Sequence, residues 1–142
     1  MICRVFLDSN VLFSAILSPQ GAARKILLLS TEKAIHTIIS QQVAEEVKRN
    51  LSRKYPELLD LLPLLLQEAE IEIVEDPNPE AIQGVLDYLP YPPDAAVLAA
   101  ARESRADYFV TGDKDHFLSK PELEDHVSFA ILSPREFLEQ AV

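Results

Sequence analysis

At 142 residues, 48% of them hydrophobic, the chain is long enough to bury one core, and a single domain over residues 1–142 is expected. Its 3 glycines exclude the glycine-rich phosphate cradles, and 1 cysteine with 3 histidines excludes an internal disulfide and a zinc cluster. With 13 basic against 23 acidic residues the net charge is −10, which counts against broad non-specific binding to nucleic acid.

In chain order, residues 2–7 read as a strand, with Cys3 expected in the core and Asp8-Ser9-Asn10 just past its end. Val11 to Leu17 reads as a short helix that stops at Ser18-Pro19, and Gly21 opens a second helix over 22–30. Ala34 to Ile39 is a second apolar strand, with His36 a satisfied core or edge histidine. Ser40 is placed to cap a helix over 41–54, whose Val43, Val47 and Leu51 share one face. Pro56 starts a leucine-rich helical stretch to Glu70, which Pro63 should kink or divide. That stretch is far short of the roughly 20 residues a bilayer needs, and no signal-peptide pattern precedes it, so a cytoplasmic protein without membrane contact is expected.

Ile71 to Val74 is a short strand candidate, and Asn78-Pro79 starts a helix reaching Leu89. Pro90-Tyr91-Pro92-Pro93 is expected to be non-helical, with helix resuming at Asp94 through the alanine-rich residues 95–104. Asp107 reads as a surface turn before an apolar strand over 108–111, after which Gly112 should let the backbone turn sharply and present Asp113. Ser128 to Leu132 is a last strand, and Ser133-Pro134-Arg135-Glu136 has the spacing of a capping box opening a final helix. Strands alternating with helices indicate a parallel sheet covered on both faces.

Chemistry is suggested by two strand tips that each carry an aspartate, because ligands in such sheets sit at the carboxyl ends of strands. Asp8 follows the first strand and Asp113 the late one; Glu46 lies two turns into the helix after strand two, and Asp94 follows a rigid Pro-Pro turn. Two carboxylates about 5 Å apart repel by roughly 3 kcal/mol at an effective dielectric of about 20. Four together call for protons or for a hard divalent ion with oxygen ligands, Mg²⁺ or Mn²⁺. An ion-bound water could then attack a phosphodiester, with Asn10 and Thr111 orienting a carboxylate or that water.

These residues fall in a recognisable order: Leu7-Asp8-Ser9-Asn10-Val11-Leu12, then Ala44-Glu45-Glu46-Val47, then Pro93-Asp94 followed by Ala95 to Ala101, then Ala106-Asp107 through Gly112-Asp113. The chain resembles PIN-domain ribonucleases of the kind that serve as toxins in toxin–antitoxin pairs. The resemblance implies a three-layer α/β/α sandwich around a mostly parallel sheet and Mg²⁺- or Mn²⁺-dependent cleavage of single-stranded RNA. It assigns catalytic roles to Asp8, Glu46, Asp94 and Asp113, with Asp8, Asp94 and Asp113 as metal ligands and Asn10, Thr111 and Asp115 in support. Glu45 beside Glu46 leaves two candidates for the glutamate. An antitoxin protein is the implied partner.

Other features carry two readings each. Lys48, Arg49, Arg53 and Lys54 are a solvated helix face or a patch that guides RNA. The leucines of 58–66 are ordinary core or a contact surface, such as a homodimer seam or a partner groove. His116, beside the acidic loop, is read as peripheral. Two rival functions remain: a haloacid-dehalogenase-type phosphohydrolase, weakened by Asn10 standing where a second aspartate is needed, and a PIN-like binding module without catalysis.

Overall fold

The computed structural model describes residues 2–142. Five strands, β1 (Arg4–Leu7), β2 (His36–Ser40), β3 (Glu72–Val74), β4 (Tyr108–Val110) and β5 (Ala130–Leu132), form one sheet in the order β3-β2-β1-β4-β5. Every neighbouring pair is parallel. The chain moves from β1 outward through β2 to β3, then jumps back past β1 to β4 and continues to β5. Right-handed crossovers therefore put the helices of the two directions on opposite faces. On one face α1 (Ser9–Leu17), α2 (Ala22–Thr31), α3 (Gln41–Lys54) and α7 (Pro134–Gln140) pack against one another; on the other, α5 (Pro79–Leu86) packs on α6 (Pro92–Glu103). The result is the expected α/β/α sandwich. Its strand order reverses between β1 and β4, the place where such sheets leave a crevice for ligands.

Apolar strand residues build the core. Phe6 and Phe109 are register partners and stack at 5.9 Å, and Phe109 also meets Phe117 at 5.0 Å. Phe117 is buried in a π-helical turn, Lys114–Leu118, so core packing anchors the turn that follows Asp113. Among the described residues, no helix is long and apolar enough to cross a membrane. Cys3 is only partly buried, beside the core rather than in it. His36 is an edge residue satisfied by Glu72, with Nε2 and Oε1 2.7 Å apart. Asp107 accepts a 2.7 Å bond from the Arg4 amide at the far end of the sheet from Asp113.

Helix starts follow local chemistry. Ser40 accepts from the Val43 amide at 3.2 Å, and Val43, Val47 and Leu51 are buried as expected. Asn78 caps α5, and at Ser133 both bonds of the capping box are present. Helix ends hold a surprise. Lys33, Glu70 and Arg105 adopt φ of 63°, 50° and 58°, the left-handed region where glycine is expected. Each closes a Schellman motif: the Ala34, Ile71 and Ala106 amides donate to the Leu29, Leu66 and Ala101 carbonyls at 2.9, 3.0 and 3.3 Å. Each motif turns the chain from a helix into the next strand. Removing the side-chain clash in Lys33→Gly should raise stability by about 0.5–1 kcal/mol, read from urea unfolding.

Besides Cys3, three expectations need correction, and proline underlies two. Pro63 neither kinks nor divides a helix: the break lies upstream, between a 3₁₀ turn at Pro56–Leu58 and α4 (Leu61–Glu68), and Pro63 sits in the first turn of α4. Pro92 and Pro93 are helical, the first two residues of α6. Both cases have one cause, since first-turn amides have no intrahelical partner and proline loses nothing there. The third is Gly112. No glycine among the described residues has positive φ, so Gly112 is needed for room and not for a left-handed turn. Of the leucine run, Leu62 is buried while Leu61 and Leu64 stay 37% and 53% exposed.

Candidate active site

All the strands are parallel, so their carboxyl ends share one edge, and four elements deliver an acid to it. Asp8 leaves β1 and caps α1; the Asp8 amide donates to Val110 on β4 at 3.0 Å, which fixes the two strand tips side by side. Asp113 follows β4 and caps the π-helical turn, its Oδ1 accepting from the His116 amide at 3.0 Å. Glu46 is carried by α3, which starts directly at the end of β2. Asp94 lies in the first turn of α6, whose N-terminus must sit at the same edge because α6 runs back to start β4.

Hydrogen bonds tie these acids together. Asp8 Oδ1 accepts from the Ser9 amide at 2.8 Å, and its Oδ2 accepts from Asn10 Nδ2 at 3.2 Å and from Thr111 Oγ1 at 2.8 Å. Thr111 Oγ1 in turn accepts from the Asp113 amide at 3.0 Å, so one buried hydroxyl links the two tips. Ser9 Oγ donates to Glu46 Oε2 at 3.0 Å. Gln42 Nε2 donates both to Glu46 Oε1 at 2.9 Å and to the Pro93 carbonyl at 3.0 Å, joining α3 to the start of α6. Glu45 is exposed on the same helix, while Glu46 is half-buried and holds both bonds.

A model of the PIN domain matches residues 4–115, a span that contains all four acids and the strands and helices that carry them. The chain belongs to the PIN-domain family. It is 27% identical, over 96% of its length and 90% of the relative's, to an uncharacterised protein of Methanocaldococcus jannaschii. Its fold is similar to that of a toxin–antitoxin complex from Klebsiella pneumoniae, with a TM-score of 0.67, 18% identity and coverage of 92% of this chain and 97% of that one. It is also similar to VapC20 of Mycobacterium tuberculosis, a sarcin–ricin loop cleaving toxin, with a TM-score of 0.59, 13% identity and coverage of 81% and 94%.

In this PIN domain the gathered acids strain one another. Burial pushes the Asp8 carboxyl from 3.8 up to about 6; the bonds from Thr111 and Ser9 oppose the rise, and the Glu46 and Asp94 charges add to it. Asp94 is also raised, first by burial and then by Asp113 and Glu46, against the pull of His116. Both carboxylates stand at helix N-termini, which favours their charged forms, so desolvation and mutual repulsion outweigh the helix dipole. A divalent cation fits this donor set. Asp94, Asp113 and His116 offer ligand atoms within 4.8 Å of one another. Asp8 Oδ2 already accepts two bonds while Oδ1 accepts one, leaving a lone pair on Oδ1 for an ion.

Two residues at the site carry no mark in the sequence, and a third takes a different role from the one expected. Ser9 and Gln42 look like helix-surface residues, and nothing in their spacing marks them as partners of Glu46. His116 is not peripheral: its Nδ1 lies 2.6 Å from Asp94 Oδ2 and 3.3 Å from Asp113 Oδ2. Asp115 stands exposed in the π-helical turn, and it is its carbonyl that accepts a bond, from Ser119 Oγ at 3.3 Å. Lys48, Arg49, Arg53 and Lys54 are all exposed on α3. At about 100° per residue, Arg49 and Arg53 fall within about 60° of the Glu46 direction, whereas Lys48 points away. Asn10 accepts a 2.7 Å bond from the Gly112 amide, and a Cβ at Gly112 would lie 3.2 Å from the same Asn10 oxygen. Gly112→Ala should therefore displace Asn10 from between the two tips. Shifted Asn10 side-chain amide resonances in a ¹H–¹⁵N spectrum, with melting temperature little changed, are the expected outcome.

Proposed function

We propose that this PIN domain is a Mg²⁺- or Mn²⁺-dependent endoribonuclease that cleaves single-stranded RNA and acts as the toxin of a toxin–antitoxin pair. The observation that carries this reading is the convergence of four acids on the β1/β4 switch point, where burial first and the Glu46 and Asp94 charges after it lift Asp8 to about 6. A set of carboxylates that repel one another is a poor structural device and a good cation trap. Asp8, Asp94 and Asp113 would hold the ion, and Glu46, steadied by Ser9 and Gln42, supplies the fourth carboxylate. The ion would supply charge neutralisation and Lewis acidity toward a phosphodiester. Thr111 and Asn10 keep Asp8 and the Gly112-Asp113 backbone in register. Asp115, exposed on the turn after Asp113, is assigned no ligand role.

Arg49 and Arg53 extend from the Glu46 side of α3 and suit a phosphate backbone running away from the site, with Lys48 and Lys54 adding charge at its margins. The single-stranded RNA substrate accords with the loop-cleaving activity in the name of the M. tuberculosis neighbour. The antitoxin partner accords with the Klebsiella complex. The exposed Leu61 and Leu64 suit an apolar contact with that partner or with a second copy of the chain. A cytoplasmic location follows from such a role.

The test uses purified protein and a labelled single-stranded RNA. EDTA should abolish cleavage, and Mn²⁺ or Mg²⁺ should restore it. Glu46→Gln should lose about a hundredfold in rate, while Glu45→Gln keeps wild-type cleavage. Cleavage that survives EDTA would overturn the proposal.

A further inference from the structure

We propose that His116 is a nitrogen ligand to the ion, which with Asp94 and Asp113 forms a three-donor face favouring a first-row transition ion such as Mn²⁺ over Mg²⁺. This inference rests on the metal-dependent reading above and goes further by naming a ligand outside the four acids.

The geometry is specific to the imidazole. Nδ1, rather than Nε2, is turned toward the carboxylates, 2.6 Å from Asp94 Oδ2 and 3.3 Å from Asp113 Oδ2. Two donors at right angles on an ion with bonds of about 2.1 Å lie about 3 Å apart, and these two separations bracket that value. The ring packs on an aromatic neighbour, and its backbone is fixed separately. It stacks on Tyr91 with centroids 4.1 Å apart and planes 28° apart, and its own backbone amide donates to Asp113 Oδ1 at 3.0 Å. Tyr91 is the residue immediately before α6, the helix that carries Asp94, so one local structure presents both the carboxylate and the surface that fixes the imidazole. A histidine serving only as a countercharge would not need such a platform.

On ligation the imidazole is neutral and keeps its proton on Nε2, facing away from the carboxylates. The chemical consequence is selectivity. Mg²⁺ prefers oxygen ligands and keeps several waters, whereas imidazole nitrogen suits transition ions. One nitrogen among the donors therefore weakens the site's claim on Mg²⁺ relative to Mn²⁺ without excluding either.

The experiment measures binding rather than turnover. Calorimetric titration of the metal-stripped protein with Mn²⁺ and, separately, with Mg²⁺ gives both affinities for the wild type and for His116→Gln. Pulsed EPR of the Mn²⁺-loaded wild-type protein reads nitrogen coupling to the ion directly and does not depend on how the variant folds. The expected results are a ¹⁴N coupling in the wild type that is absent in His116→Gln, and a loss of Mn²⁺ affinity of about tenfold or more with Mg²⁺ affinity changed about twofold or less. Mn²⁺ bound at the acids without nitrogen coupling, or an equal loss for both ions, overturns this inference and leaves the nuclease reading standing. Failure of Mn²⁺ to bind the wild type at all removes both.

Discussion

Asp8→Asn should reduce RNA cleavage by at least about a hundredfold while the fold survives. The substitution separates two roles that one residue performs. As the cap of α1, Asp8 accepts from the Ser9 amide, and asparagine caps a helix about as well as aspartate does. As a member of the acidic cluster it contributes a buried charge, 6% exposed, with a lone pair left for a cation. Asparagine keeps one oxygen for Ser9 but brings an amide up to Thr111 and Asn10, both of which donate to Asp8 Oδ2. It also removes the charge that a divalent ion needs. A residue that only capped a helix would tolerate the change with activity intact. Rates measured at saturating Mn²⁺ beside urea melts of both proteins distinguish the cases, and an active variant would end the assignment.

The second large effect is on stability against pH. Protein stripped of metal should become less stable as pH rises from about 4 to about 6.5, because the folded state lifts Asp8 from 3.8 to about 6 and so holds its proton more tightly than the unfolded chain does. The sign is the reverse of the usual carboxylate, whose folded form is depressed. The gap corresponds to about 3 kcal/mol of stability, present below pH 4 and lost once the pH has passed 6. Asp94 is raised as well and acts in the same sense. Glu72, lowered chiefly by its bond to His36, acts oppositely, but only from about 4.5 downward, at the lower edge of this window. Millimolar Mn²⁺ at pH 7.5 should recover the loss, since a ligand at a hundred times its dissociation constant adds about 2.7 kcal/mol. Thermal melts from pH 4 to 7.5, with and without Mn²⁺, read this directly. In Asp8→Asn the pH slope should flatten, and an equally steep slope in that variant would place the titration elsewhere.

What could be read from the sequence was whatever local chemistry dictates. The apolar runs around Phe6 and Phe109, the Ser40 and Ser133 caps, and the buried face of α3 all follow from side chains acting within a few residues of themselves. The acids could be paired with strand tips and helix starts for the same reason. The strand order could not, because parallel pairing is set by packing between elements far apart in the chain. Proline misled where a rule about helix interiors was applied to first turns, at Pro63 and at Pro92-Pro93. Glycine misled in the opposite way: Lys33, Glu70 and Arg105 take the left-handed conformation that none of the described glycines adopts. Ser9 and Gln42 were invisible as site residues, since their partners come from other elements and no spacing predicts such meetings; His116 stood in view beside the acidic loop, but its 2.6 Å approach to Asp94 on α6 did not.

The net charge of −10 works against RNA binding over most of the surface, since only four of the 23 acidic residues gather where a cation could offset them. On the proposed reading, Arg49 and Arg53, exposed on the Glu46 side of α3, would give RNA one local approach. Replacing both arginines should weaken RNA binding and reduce its salt dependence without touching the acids.

Anomalous diffraction at the manganese edge, from crystals grown with MnCl₂, tests the central claim most directly. A peak bounded by the carboxylates of Asp8, Asp94 and Asp113 is expected in the wild type, with no peak there in Asp8→Asn. A wild-type crystal with manganese ordered elsewhere and nothing between β1 and β4 would contradict it.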